Sequence, residues 1–143
     1  MMKLHIASDH AGYELKEIIK QRFADRCEWV DHGTFSSDSV DYPDYAHPLA
    51  EAVASEADGC GILICGTGNG MAITANKHAG IRAALCWSHD IAALARQHNN
   101  ANVLVMPARF IDADTAADLV DTFLSTPFEG GRHERRVQKI NLR

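Results

Sequence analysis

The chain has 143 residues, of which 46% are hydrophobic and 23% charged, and its formal net charge is −5. That length suits one compact domain with its own core, and the balance is ordinary for a globular protein. The negative charge argues against nucleic-acid or membrane-surface partners.

Strand-like and helix-like segments alternate along the chain. Lys3–Ser8 reads as a first strand, followed by a helix with Leu15, Ile18, Ile19 and Phe23 on one face. Cys27–Asp31 is a short second strand. The polar stretch from His32 to Tyr42 reads as a loop. Pro43 opens a helix running to about Glu56, with Leu49 and Val53 inward and Pro48 tolerated near its first turns. Gly61–Cys65 is the third strand, and a helix is expected after Gly70. Arg82–Trp87 is the fourth strand, and Ser88 is a plausible N-cap for a helix carrying Ile91, Leu94 and Ala95. Asn102–Met106 is the fifth strand. Asp112 or Asp114 caps a helix with Leu119, Val120, Phe123 and Leu124 inward. After Glu129-Gly-Gly131 comes a basic, helix-like tail bearing Arg132, Arg135, Arg136, Lys139 and Arg143.

Five strands alternating with helices predict an α/β fold: a parallel sheet covered on both faces. Ligands on such sheets bind beyond the carboxyl ends of the strands. That places Ser8-Asp9-His10, the Cys65 loop, Ser88 and Pro107 on one rim. No apolar run is long enough for a membrane span, and no signal peptide precedes the first strand. Cys27, Cys60, Cys65 and Cys86 form no Cys-x-x-Cys pair, so zinc is not expected. Free thiols suggest the cytoplasm.

Most of the chemistry is concentrated in Cys65-Gly-Thr-Gly-Asn-Gly-Met71. Glycines let backbone N–H groups turn inward, and a helix start adds unpaired donors. The loop thus reads as an anion cradle with a thiol at its lip, expected to ionise more easily than in water. Gly66-Thr-Gly-Asn-Gly70 lacks the spacing of a dinucleotide fingerprint, and no Lys-Ser/Thr follows as in a P-loop. No arginine follows as in a cysteine phosphatase. A glycine loop used only for its turn is the plain alternative. Asp9 is a candidate acid or base, or simply a cap for the next helix. His98 is a candidate general acid or base, or a helix-terminal histidine favoured by the dipole; Asn99 reads equally as a helix stop. Arg132 and Arg136 stand four apart and share one face if helical, which suits a phosphate; a solvated basic tail is the alternative. The glycine pair at 130–131 is expected to aim this tail away from the body. His5, His32, His47, His78, His89 and His133 are left as surface or packing residues. Cys27, Cys60 and Cys86 read as small hydrophobes.

Taken together, Ser8-Asp-His-Ala-Gly12, Asp41-Tyr-Pro-Asp-Tyr-Ala46, the Cys65–Met71 loop, Ala75-Asn-Lys77, Gly80-Ile-Arg-Ala83, Arg96-Gln-His-Asn-Asn100 and Glu129-Gly-Gly-Arg-His133 resemble the type B ribose-5-phosphate isomerases. The wider group includes allose- and galactose-6-phosphate isomerases, and the motifs run in order through nearly the whole chain. The resemblance implies a single Rossmann-like α/β/α domain over residues 1–143. It also implies a homodimer with active sites at the interface, or a tetramer of such dimers, and no cofactor or metal. By that analogy one subunit gives Asp9, His10, Tyr42, Cys65, Thr67 and the loop Gly66, Gly68, Asn69, Gly70. The other gives His98, Asn99, Arg109, Arg132 and Arg136. Cys65 would move a proton between C1 and C2, and the 66–70 backbone would hold the enediolate. His98 with Asp9 would open the sugar ring. Thr67 would assist proton traffic. His10 and the arginines would take the phosphate. One branch of the family uses a glutamate at the position of Met71, so this chain resembles the cysteine branch. Ala72 replaces a serine common in the group. An isomerase of six-carbon aldose phosphates and a sugar-phosphate binder without turnover are the alternatives.

Overall fold

A computed structural model describes residues 1–142; Arg143, counted above among the tail cations, lies outside them. Five parallel strands form one sheet in the order β2-β1-β3-β5-β4. They are β1 (Met2–Ser8), β2 (Cys27–Asp31), β3 (Gly61–Cys65), β4 (Ala83–Leu85) and β5 (Val103–Pro107). The helices are α1 (Tyr13–Arg22), α2 (Pro43–Ala54), α3 (Asn69–Ala75), α4 (His89–Asn99), α5 (Ala113–Ser125) and α6 (Arg132–Gln138).

Alternate strand residues feed two apolar layers, as the period of two requires. Leu4, Ile6, Ile62, Ile64, Leu104 and Met106 meet α1, α4 and α5 on one face. Ala7, Leu63, Cys65, Val103 and Val105 meet α2 and α3 on the other. β3 is central, and every one of its residues is buried, which explains its unbroken apolar run. The expected three-layer α/β/α architecture is therefore present.

Several boundaries shift. β4 spans only Ala83–Leu85, because it is an edge strand and Trp87 beyond it is 55% exposed. α3 begins at Asn69 rather than after Gly70, with Gly68 as its N-cap. α2 stops at Ala54, two residues before the expected Glu56. Ile18 and Leu94 lie on the solvent edges of α1 and α4, not inward. Ser88 is the N-cap of α4 but makes no side-chain bond. Asp112, not Asp114, caps α5 through the Thr115 N–H at 2.7 Å. The tail also departs from expectation. Gly130 and Gly131 both have positive φ, and the turn they make folds α6 back so that His133 is buried.

One charged cluster anchors the loop after β2. Lys16 on α1 is 0% exposed, and its Nζ lies 2.6 Å from an Asp31 carboxylate oxygen. Lys20 donates to the same oxygen at 2.8 Å. The other Asp31 oxygen accepts the Gly33 N–H at 2.9 Å, starting the turn into residues 33–42.

Candidate active site

β3 delivers Cys65 to the carboxyl rim, level with Pro107 on β5. Its side chain points to the α2–α3 side and is 4% exposed. The loop is pinned to β5 by Ala108 N–H donating to Cys65 O (2.9 Å) and Arg109 N–H donating to Gly66 O (3.0 Å). Gly68 has φ +80, and a Cβ there would strike the Leu85 side chain, so glycine is required. The Asn69 N–H donates to Thr67 Oγ1 at 3.2 Å and tightens the turn into α3.

Two effects compete at the thiol. Burial pushes its pKa up, and the nearby Asp9 adds to that. Backbone N–H groups of Met71, Gly68 and Thr67 favour the anion and pull it down. Burial wins, so Cys65 ionises less readily than a free thiol, which corrects the expectation above. The fan of amides is present as expected; the cost of placing charge in a closed site outweighs it. Burial also pushes Cys60 up to about 11 and Cys86 to about 12, in keeping with inert packing roles.

Asp9 is not the helix cap weighed for it: the N-cap of α1 is Gly12, and Asp9 sits in the turn before it. One of its oxygens accepts the Gly12 N–H at 3.0 Å, closing the turn into α1, and the buried carboxyl stands close enough to influence Cys65. His10 Nδ1 accepts the Val40 N–H at 3.2 Å, which leaves Nε2 as the ring donor. That bond also ties the 33–42 loop to the rim. Tyr42 leans on the cysteine loop: a Cβ on Gly70 would lie 2.5 Å from its ring. The Ser8 hydroxyl is buried and has no hydrogen-bond partner among the described residues, and nothing in the structure explains it.

The remaining site residues divide into two groups. Arg109 lies over Gly66 of its own chain, 3.2 Å from where a Cβ would stand. The structure thus groups it with the cysteine loop, not with the second set to which the resemblance assigned it. The cause is local: β5 ends beside β3, and its next residues bond to the loop. His98, Asn99 and Arg136 instead line a cavity of about 310 Å³ with His133, Val137 and Ile140. Arg132 opens α6 and is exposed, four residues from Arg136. This second group sits where α4 ends and β5 begins, at the amino edge of the sheet. α4 stops at Asn99, with Asn100 in the left-handed conformation as its cap. Five residues of β5 separate the two rims, roughly 13 Å at the rise of a strand. Within one chain the two groups face opposite ends of the sheet.

His133, left above as a packing residue, belongs with the second group. Its ring stacks on His98 at 4.2 Å between centroids and 11° from parallel. Glu129 Oε1 stands 3.9 Å from His98 Nε2 and 3.7 Å from His133 Nε2. The three could in principle gather a divalent cation, since their ligand atoms lie within 4.8 Å of one another. The near-parallel rings, however, aim their lone pairs side by side, and a metal needs them to converge. The Glu129/His133 spacing of four residues is the sequence signal that could have found the pair.

A buried thiol under amide donors at the rim of a parallel sheet defines an α/β enzyme suited to moving a proton on a small anionic substrate. A family model for ribose/galactose isomerases matches residues 4–140, and the chain belongs to that family. Ribose-5-phosphate isomerase B of Escherichia coli is 48% identical over 142 residues, covering 98% of this chain and 95% of that protein. A ribose 5-phosphate isomerase from Thermotoga maritima superposes with a TM-score of 0.93 at 60% identity, covering 97% of each chain. Another, from Mycoplasma genitalium with bound ribulose-5-phosphate, gives 0.93 at 46% identity, covering 97% of this chain and 93% of that one. No helix among the described residues is long and apolar enough to cross a membrane.

Proposed function

We propose that this chain interconverts ribose 5-phosphate and ribulose 5-phosphate through an enediolate, with Cys65 as base and no metal or organic cofactor. The observation that carries the reading is the buried Cys65 sulfur beneath the amides of Met71, Gly68 and Thr67. The thiolate removes the proton at C2 of the aldehyde form, leaving an enediolate over C1 and C2. It returns the proton to C1, while the hydroxyl proton passes from O2 to O1 with help from Thr67. The closed site that raises the thiol's pKa also strengthens amide–oxyanion contacts, because little water screens them. Loss of one such donor typically costs about 3–4 kcal/mol.

Asp9 and His98 open the furanose ring, and Asn99 helps seat the sugar. His10, Arg109, Arg132 and Arg136 hold the phosphate, whose binding energy aligns the reacting carbons. Asp9 and His98 lie at opposite ends of the sheet, which supports a site shared between two copies of the chain. The four free cysteines suit a reducing cytoplasm.

Two experiments test this. Mixing the protein with ribose 5-phosphate should form ketose, faster than with allose or galactose 6-phosphate; binding without conversion would make the chain a binding module. Cys65→Ala and His98→Asn should each be inactive alone. Re-paired after unfolding together, they should recover about a quarter of wild-type activity, since half the pairs are mixed and carry one intact site of two. No recovery would refute the shared site.

A further inference from the structure

We propose that His133 is a positioning residue for His98: the stacked pair, with Glu129 beside both Nε2 atoms, holds one imidazole in the plane needed to protonate the sugar ring oxygen. This rests on the ring-opening role given to His98 above.

His98 lies in the last turn of α4, with its side chain 39% exposed. Its free face would leave the ring loose on its Cα–Cβ bond. The ring of His133 covers the other face at 4.2 Å. His133 is itself held, because its backbone N–H donates to Gly130 O at 3.0 Å and its side chain is 9% exposed. Glu129 is fixed against α4 by its N–H donating to Gln97 O at 3.1 Å. That backbone bond keeps the Glu129 carboxylate within 4 Å of both rings.

The arrangement also decides which ring handles a proton. Two imidazoles face to face cannot both be charged cheaply. Burial, then His98 and Arg132, push His133 toward the neutral form. Arg136, on the same helix, acts in that sense too, while Glu129 opposes it. The more exposed ring, His98, is the one that can reach the sugar with its proton. In ring opening that proton goes to the ring oxygen O4 as the C1–O4 bond breaks. The O1 hydroxyl gives up its proton to Asp9, and C1=O forms. The cavity beside His98, with Asn99 and Arg136 on its wall, leaves space for a sugar phosphate.

The test separates ring opening from isomerisation. Cys65→Ala cannot take the C2 proton but keeps the ring-opening groups. It should speed exchange between the α and β anomers of ribose 5-phosphate, read by NMR, because the opened aldehyde can close on either face. Adding His98→Asn should abolish the acceleration. Adding His133→Ala should lower the maximal exchange rate about tenfold while the half-saturating sugar concentration stays within about twofold. His133→Phe, which keeps a flat face, should restore the rate to within about threefold of Cys65→Ala alone. Glu129→Gln is an exposed change that leaves folding intact, and should cost about threefold.

A higher half-saturating concentration at full rate would assign His133 to placing α6 and its arginines, and would overturn the proposal. So would His133→Phe falling as far as His133→Ala. If Cys65→Ala accelerates exchange and His98→Asn stops it while the His133 variants change nothing, the inference alone fails. No acceleration by Cys65→Ala would refute the ring-opening role of the site, and the inference with it.

Discussion

Replacing Asp31 by Asn keeps the shape of the side chain and removes the charge that faces Lys16. The ammonium is 0% exposed and would lose its 2.6 Å partner. Breaking a buried pair this way typically costs about 3–5 kcal/mol. Glu17 remains 3.2 Å from the Lys16 ammonium, and the rings of Tyr13 and Phe35 lie 5.5 and 5.1 Å from it, so the lower end applies. A loss of about 3 kcal/mol corresponds to roughly 6–12 °C in Tm for a chain of this size. Urea unfolding at pH 7 should report that loss, and adding Lys16→Met should recover much of it. The pH dependence has a definite sign. Burial alone would raise the Asp31 pKa, but hydrogen bonds from Lys16 and Lys20 outweigh it and the net shift is downward. A lowered carboxylate pKa stabilises the fold above the ordinary carboxylate range, and the gain is lost as pH falls toward the folded value. The wild-type and Asp31→Asn stability curves should therefore converge below about pH 4. A loss under about 1 kcal/mol at pH 7 would mean that the cluster behaves as a surface pair, and would refute the argument.

Gly70→Ala should separate stability from turnover. Alanine favours a helix by about 1 kcal/mol over glycine, so Tm should hold or rise. The new Cβ would lie 2.5 Å from the Tyr42 ring and displace it, so kcat/KM should fall about tenfold; unchanged kinetics would remove Tyr42 from the site. Cys65→Ala should remain folded by circular dichroism and lose about 10²–10⁴ in kcat. Near-normal turnover there would eliminate the thiol as base. Arg136→Ala should mainly raise KM for the sugar phosphate, by about tenfold or more, with kcat little changed. A KM equal to wild type would count against its phosphate role.

The order of elements could be read from the chain because most strands carry an apolar stretch and end at a polar or glycine-rich turn. The same logic located the cysteine loop, whose glycines have few other uses. What escaped depended on contacts far apart in sequence. Lys16 stands beside Leu15 on a helix that looks ordinarily charged on that side, and its closest partner, Asp31, lies fifteen residues on. His133 acquires a partner only because two left-handed glycines turn α6 back. The direction of the Cys65 pKa is hidden for another reason: the donors are visible in the motif, but the depth of burial that outweighs them is not. Ile18 and Leu94 fit a helical stripe, yet each sits at the margin of a face already filled, by Leu15, Lys16 and Ile19 on α1 and by Ala92 and Ala95 on α4.

The separation of the cysteine loop and the His98 group at opposite rims has a consequence for selectivity. In the proposed pairing, the thiol of one copy and the α6 guanidinium pair of its mate grasp the two tips of a single linear molecule. The span between those tips is then a property of how two bodies dock. A shift of one carbon–carbon bond in that docking would admit a longer sugar while leaving the proton-transfer loop untouched. Evolution could thus retune substrate length from the seam between copies, without reworking the reactive centre.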